Sequence, residues 1–252
     1  MTATHTTEIV FRRKVRAAWL GHGLALAAQG TSWSDAKSVL VAIIAEENPG
    51  AETIRKVLEH IRRIWFDPPA NCDHLHNTAL ALFRSNDSST VRAVLNWGMS
   101  IAAYPFVGSV GESLGRLMKL QTSANRSDVQ RRLRERYGDR PYVDRITRYT
   151  ISSFLDWSVI SEKGRLGIYS GIDKVQVSNT DLKAWLAEAV LISCNRSQVA
   201  LSAIPNHPIL FPFSLDTLSA SDLENNSRLR VERQGLNLDY VFTGPESVKV
   251  KH

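Results

Sequence analysis

Residues 122–171 read TSANRSDVQRRLRERYGDRPYVDRITRYTISSFLDWSVISEKGRLGIYSG, and this stretch decides the expected fold. It runs through a polar helix start at 122–125, an arginine-rich helix over 126–137, a Gly-Asp-Arg-Pro turn, a helix over 142–157, and a hairpin over 158–170 with Lys163-Gly164 at its tip. This order is typical of a winged helix-turn-helix, in which a helix reads the major groove and a hairpin contacts the flanking backbone. The sequence therefore predicts such a unit over 122–171.

Local signals support the two helices of this unit. Ser127 to Gln130 have the spacing of a capping box, and Pro141 suits a first helical turn, where its missing amide costs nothing. Apolar and small residues then recur every three or four positions and are expected to face the core: Val143, Ile146, Thr150, Phe154 and Trp157. The residues left for the outer faces are Arg140, Tyr142, Arg145, Arg148, Tyr149 and Ser152.

Each basic residue of the unit has an expected role. Arg145 and Arg148 are expected to contact guanine or phosphates, and the arginines before the turn to meet phosphates without sequence choice. Lys163 and Arg165 would contact the neighbouring backbone or minor groove, while Tyr142 and Tyr149 either bond to phosphate or pack at the helix edge. The predicted DNA-binding set is Arg126, Arg131, Arg132, Arg134, Arg140, Tyr142, Arg145, Arg148, Tyr149, Lys163, Arg165, Arg55 and Lys56.

Positive charge is concentrated in this part of the chain. The whole sequence has a formal net charge of +6, and residues 122–170 contain ten Arg or Lys against six Asp or Glu. A second basic group, Arg12, Arg13, Lys14 and Arg16, lies in the opening segment, whose single acidic residue is Glu8. Residues 196–252, in contrast, carry six charges of each sign. Clustered positive charge favours a polyanionic partner. The alternative is that the arginines only solvate helix faces.

The residues before the unit are expected to be helical. Helices are predicted over 12–28, over 35–47 with Ser34 as the N-cap, and over 52–65. This part, residues 1–70, is either a second helix-turn-helix, with Arg55 and Lys56 as its basic contacts, or a plain helical bundle. Three more helices, over 73–84, 88–103 and 106–120, are expected to form a packing layer at 71–121.

The residues after the hairpin change in character. A helix is predicted over 179–194, which closes a unit at 122–195. The segment 205–213 is proline-punctuated and expected to be extended, and residues 228–233 and 238–242 alternate as paired strands do. The fold class expected is therefore mainly α: a helical bundle with one or more winged helix-turn-helix units and a small β-containing C-terminal extension over 196–252.

Little in the sequence points to catalysis. No GxxxxGK, GxGxxG, GxSxG or HExxH motif is present. Cys72, His74 and His76 form the only metal-like cluster, which lacks the second pair that a closed zinc site needs, although His60 could join it in space. We therefore expect no enzyme activity, no metal and no cofactor.

With two cysteines, no secretory signal and no membrane span, the chain is expected to be cytoplasmic, reduced and without a membrane partner.

The chain also resembles a known family. Residues 33–37 (Trp-Ser-Asp-Ala-Lys), leading through Asn48 and 53–56 to 61–63, resemble the start of BrxA-type proteins, which are accessory components of bacterial BREX phage-defence systems. Residues 142–160 resemble the second half of those proteins. The resemblance covers about residues 10–170 and implies a helical protein that binds double-stranded DNA beside other defence-system proteins. The extension at 196–252 departs from the family pattern.

Together these patterns predict a double-stranded DNA-binding accessory protein of an anti-phage defence system. The alternative is a protein-interaction scaffold, in which the same fold turns its basic face to an acidic protein.

Overall fold

The structure, a computed structural model, describes residues 10–162, 164, 166–234 and 238–244, and this part is mainly helical. Its α-helices are α1 (Ala17–Ala28), α2 (Trp33–Ala45), α3 (Ala51–Trp65), α4 (Asp73–Ser85), α5 (Ser89–Ala103), α6 (Pro105–Gln121), α7 (Arg126–Tyr137), α8 (Pro141–Asp156), α9 (Thr180–Ser193) and α10 (Ala220–Leu223). Its strands are β1 (Ser123–Asn125), β2 (Ile160–Glu162), β3 (Ile168–Gly171), β4 (Val175–Gln176), β5 (Gln198–Ala200), β6 (Phe213–Ser214), β7 (Leu229–Gln234) and β8 (Leu238–Thr243).

Buried apolar side chains from Val10 to Val241 form one connected core. Its centre lies between α5 and α9, which pack closely because Gly98 of α5 lies against the Trp185 ring of α9 and has no side chain to obstruct it. Trp185 is fully buried, and its indole Nε1 donates to the Leu75 carbonyl at 2.8 Å. The C-terminal residues are thus packed into the same core as the first helices.

A three-stranded antiparallel sheet closes the unit around α7 and α8. The predicted hairpin is confirmed, because β2 pairs with β3, and β1 pairs with the other edge of β3, giving the order β1-β3-β2. Residues 123–125, expected to be a helix start, are therefore a strand. The expected capping box at Ser127 is also wrong: α7 begins at Arg126, whose amide donates to the Gly167 carbonyl of the hairpin at 2.8 Å.

The first helix begins later than predicted. Residues 10–16, which we call the N-terminal arm, are not helical but run alongside α8. The Val15 amide donates to the Ser153 hydroxyl, and the Ala17 amide at the start of α1 donates to the Asp156 carboxylate, both at 2.9 Å. The N-cap of α2 is also corrected from Ser34 to Ser32, whose hydroxyl accepts from the Asp35 amide.

The C-terminal strands pair largely as predicted. β7 and β8 form an antiparallel hairpin, and β5, which the sequence analysis missed, pairs with the other edge of β8. The proline-rich segment is not fully extended, because Pro208–Leu210 form a 3-10 turn that packs against α6. Gly115 permits this contact, since a β-carbon there would overlap the Pro208 carbonyl.

Candidate nucleic-acid interface

The turn before α8 fixes where the predicted reading helix starts. Gly138 has a φ of 92°, a conformation that glycine adopts without steric cost. Arg140 is the N-cap, in extended conformation, and Pro141 lies in the first turn as predicted. The first turn of α8 contacts α7, because Arg134 pairs with Asp144 at 3.4 Å and the Gln130 side chain donates to the Asp144 carbonyl.

α8 has a buried face and an exposed face at the predicted spacing. The predicted core positions that are buried are Val143, Ile146, Thr150 and Phe154, while Trp157 is half-buried. The positions exposed at the start of α8 are Arg140, Tyr142, Arg145 and Arg148, with Tyr149 and Ser152 half-buried. Because residues three and four apart are neighbours on a helix, these exposed side chains lie side by side. We call Arg140, Tyr142, Arg145, Arg148 and Tyr149 the α8 face.

The arginines of the α8 face lack acidic partners within the described part of the chain. Arg140, Arg145 and Arg148 make no ion pair with any described carboxylate. The Arg145 guanidinium instead lies over the Tyr142 ring, 5.3 Å from its centroid, an arrangement that leaves its N–H groups free to donate. Three uncompensated guanidinium groups in two helical turns create a local positive potential that suits a phosphate backbone.

The N-terminal arm limits how much of α8 is accessible. Arg13 lies over the Tyr149 ring, and the arm then follows α8 through Ser153 to Asp156, which also binds Lys14 at 2.9 Å. The pKa of the Asp156 carboxyl is lowered even though burial opposes ionisation, because hydrogen bonds from Lys14 and the Ala17 amide outweigh it. The second half of α8 is thus covered, and its first half remains open.

The other predicted arginines of α7 are largely paired. Arg126 donates Nε to the Tyr169 hydroxyl at 2.9 Å, and burial raises the pKa of that tyrosine although the arginine opposes it. The carboxylate pairs are Arg126 with Glu162 at 3.7 Å, Arg131 with Glu135 at 3.1 Å and Asp128 at 3.8 Å, and Arg134 with Asp144 at 3.4 Å and Asp139 at 3.7 Å. These carboxylates reduce the positive potential beside α7.

Arg132 points elsewhere than its paired neighbours. It lines a polar cavity between α6 and α7, together with Arg116 and Arg136, and no described residue of α8 lines that cavity. The structure therefore does not bring Arg132 together with the α8 face.

Arg55 and Lys56 lie on α3 and are engaged by acids of the same helix. Arg55 pairs with Glu52 at 2.8 Å and with Glu59 at 2.5 Å, and Lys56 pairs with Glu52 at 2.9 Å. No strand of the described residues lies between α3 and β1, so α2 and α3 are followed by further helices and not by a hairpin. Arg55 and Lys56 thus sit on a helical surface without a wing.

The hairpin tip completes the predicted set. Lys163 and Arg165 lie outside the described residues, whereas Gly164 between them has a φ of 71°, as a tight turn requires.

Three of the residues considered for a metal, Cys72, His60 and His76, are buried in the core. His60 Nε2 accepts from the Arg12 amide and His76 Nε2 bonds to the Trp65 carbonyl, at 3.0 and 2.9 Å. Burial lowers the pKa of His60 to about 3 and raises the pKa of the Cys72 thiol to about 12. Among the residues that the structure describes, no three His, Cys, Asp or Glu side chains converge as metal ligands.

One polar cluster was missed because its members are far apart in sequence. The His74 ring joins the Glu188 carboxylate, 3.0 Å from Nδ1, to the Ser227 hydroxyl, 3.1 Å from Nε2. Such an order can activate a serine, but only beside free donors that stabilise an oxyanion. The amides of Asn225 and Asn226 already donate to Asp181 and Glu188. These hydrogen bonds fasten the 225–228 turn to α4 and α9.

No family model, no curated protein and no solved structure matches this chain. Over the described ranges, none of the helices combines the length and apolar character needed to cross a lipid bilayer.

Proposed function

We propose that the protein binds double-stranded DNA through the α8 face. The observation that carries the proposal is the contrast in pairing: within the described part, Arg140, Arg145 and Arg148 have no acidic partner, whereas Arg126, Arg131 and Arg134 do. Exposed arginines without carboxylates are available to phosphates and base edges, and apart from Arg132, which lines a separate cavity, the unpaired arginines described in this region lie on α8.

The order of elements supports a winged helix-turn-helix as the framework. Helix α6 is followed by β1, α7, α8 and the β2–β3 hairpin, and β3 lies between β1 and β2 in the sheet. In this interpretation α8 is the recognition helix and the hairpin, including Lys163 and Arg165, is the wing. Recognition helices contact bases with their N-terminal residues, and the N-terminal half of α8 is the half that the arm leaves open.

Roles within the α8 face follow from position. Arg145 and Arg148 lie in the first half of α8 with exposed side chains, and we assign them to base edges. Each bidentate contact to a base contributes about 1–3 kcal/mol of discrimination. Arg140 lies at the N-cap. We assign Arg140, Tyr142 and Tyr149 to hydrogen bonds with phosphates on either side of the groove. From Tyr142 to Tyr149 the helix rises about 10 Å, which fits within the width of a major groove.

The test measures duplex affinity as a function of salt. Wild-type protein is expected to show a steep fall of log affinity with log salt, because several phosphates are neutralised. The double variant R145A/R148A is expected to lose about 2–6 kcal/mol against a preferred sequence, or about two units of salt slope on any duplex. The matched control R230A/R233A removes two arginines of β7, far from α8 in sequence. Arg230 pairs with Glu232 and Arg233 with Asp239 of β8, and this variant is expected to bind as wild type.

Two outcomes would contradict the proposal. Equal losses in both double variants would mean that only total charge matters. A flat or absent salt response would favour the scaffold, in which the α8 face meets an acidic protein.

The biological setting is a further part of the proposal. The resemblance of residues 10–170 to BrxA-type proteins supports an accessory role in BREX phage defence, carried out in the cytoplasm beside other defence-system proteins. Plating phage on cells that carry the defence system with wild-type protein or R145A/R148A tests it. Loss of protection only in the variant supports the role, and full protection without the protein overturns it.

A further inference from the structure

A polar cavity of about 380 Å³ lies between α6, α7, the end of α9 and the residues before the 3-10 turn. The charged residues that line it are Arg116, Arg132, Arg136, Arg196, Glu112 and Glu135. Four arginines against two glutamates leave a formal charge of +2. None of the described α8 residues takes part, so the cavity is separate from the α8 face.

The two carboxylates are already engaged. Glu112 binds Arg116 at 2.7 Å and Arg136 at 3.7 Å, and Glu135 binds Arg131, outside the cavity, at 3.1 Å. Within the described residues, Arg132 and Arg196 have no carboxylate partner. Excess positive charge in a concave polar space favours an anion.

Two buried donors in the cavity wall are unpaired. The Ser193 hydroxyl belongs to a side chain only 8% exposed and has no hydrogen-bond partner among the described residues, and neither has Arg132 Nε. Buried polar groups in native proteins are normally paired, so both atoms call for a ligand oxygen. Gly108 maintains the position of this hydroxyl, since a β-carbon there would overlap the Ser193 oxygen.

A histidine and a cysteine also line the cavity. His207 Nδ1 accepts from the Ile209 amide at 3.3 Å, so its proton resides on Nε2, which faces the Cys194 sulfur at 3.7 Å. Burial lowers the pKa of His207, and burial raises the pKa of the Cys194 thiol to about 11. At neutral pH the ring is therefore uncharged and the thiol stays protonated, so the thiol does not act as a nucleophile toward a bound anion.

We propose that this cavity binds the phosphate group of a small phosphorylated molecule. A phosphate group carries about −1.5 to −2 charges at neutral pH, which matches the +2 of the lining, and its oxygens accept from guanidinium and hydroxyl donors together. The cavity volume lies in the range of small-molecule sites and exceeds the volume of phosphate alone. The remaining space accommodates the organic part of the ligand.

Isothermal titration calorimetry at constant ionic strength, with inorganic phosphate and with adenosine monophosphate as ligands, tests the proposal. Wild-type protein is expected to bind each at one site. Arg132→Met keeps the aliphatic stem and is expected to weaken binding about tenfold or more, since one charge-assisted contact is lost. Lys119→Met removes the same charge from an exposed position on α6 outside the cavity and is expected to stay within about twofold of wild type.

Thermal unfolding separates loss of binding from loss of folding. Without phosphate, Arg132→Met is expected to melt at or above the wild-type temperature, because electrostatic repulsion among the cavity arginines is reduced. Added phosphate should no longer raise the melting temperature of this variant. If Arg132→Met does not fold, Ser193→Ala replaces it and is expected to weaken phosphate binding about threefold or more.

Equal phosphate affinity in wild type and the cavity variant would overturn the proposal, as would equal losses in Lys119→Met. A parallel loss of duplex affinity in Arg132→Met would assign the cavity to the DNA surface and also overturn it. Because the titrations contain no DNA, failure of the α8 face to bind a duplex leaves this test intact.

Discussion

The guanidinium carbon of Arg13 lies 5.6 Å from the centre of the Tyr149 ring, although 136 residues separate the two in the chain. This contact adds a guanidinium to the edge of the α8 face and sets where the accessible part of the helix ends. The arm that carries Arg13 is also held by contacts with α8 and the residue after it: Lys14 and Arg16 with Asp156, Val15 with Ser153, and the Trp157 indole with the Val15 carbonyl.

Ser153→Ala is expected to lower the free energy of unfolding by about 1–3 kcal/mol, because the buried Val15 amide loses its acceptor. Denaturant titration measures the change. Ser152→Ala, at the half-buried neighbouring position, is the control and is expected to stay within about 0.5 kcal/mol of wild type. Equal effects of the two substitutions would show that the arm does not depend on this hydrogen bond.

Acid is expected to destabilise the protein through His60. Burial and the nearby charges of Arg12 and Lys56 lower its pKa from 6.5 to about 3, so the unfolded chain takes up this proton first. The stability contribution is complete above pH 6.5 and is lost as the pH falls toward 3, by about 1–2 kcal/mol between pH 6.5 and 5. Unfolding free energies across this range should decline less steeply for His60→Gln, and identical slopes would refute the assignment.

Glu188→Gln is expected to cost about 2–4 kcal/mol of stability, since the side chain is 1% exposed and binds both His74 and Asn226. Asp181→Asn provides the comparison, because among the described side chains that exposed carboxylate accepts only from Asn225, at 3.4 Å, and its loss should cost less than about 1 kcal/mol. Chemical denaturation of both variants checks the difference. Similar values would mean that the Glu188 cluster does not fasten the turn at 225–228.

Two glycine substitutions are expected to act in opposite directions. Gly115→Ala would force a methyl group against the Pro208 carbonyl and is expected to destabilise the fold by about 1–3 kcal/mol. Gly21→Ala in α1 meets only the end of the Arg92 side chain, at 3.8 Å, and is expected to stabilise by up to about 1 kcal/mol through helix propensity. Melting temperatures that move in the same direction would contradict this packing.

Helix periodicity predicted the parts of the fold that depend on local sequence. The bounds of α7 are those predicted, and α8 buries Val143, Ile146 and Phe154 at the expected spacing, because each signal lies within a few turns of one helix. The hairpin of β2 and β3 was predicted for the same reason.

The rest of the fold depends on contacts that local sequence does not encode. β1 has three residues, too few for any alternation, and forms because Ala124 pairs with Tyr169 of β3. The sequence predicted a helix from residue 12, but residues 12–16 are not helical, because they are held by contacts with α8 far along the chain. Local patterns contain no information about a partner more than a hundred residues away.

The exposure of the candidate residues on α8 was predictable, but the pairing of those on α7 was not. Helical spacing identified Arg145 and Arg148 as outward-facing, and both are exposed. Sequence could not show that Arg134 would meet Asp144 across the turn, or that Arg132 would face α6, since both depend on how α7 packs against its neighbours.

The docking of Arg13 and Val15 against α8 also bears on how the chain is made. A ribosome releases residues 10–16 long before it has synthesised residues 149–157, so the arm waits without its binding place while the residues between them are made. During that interval Phe11, which is completely enclosed in the finished molecule, is open to chaperones and to self-association. Slowing elongation before α8 is encoded would prolong that vulnerable period.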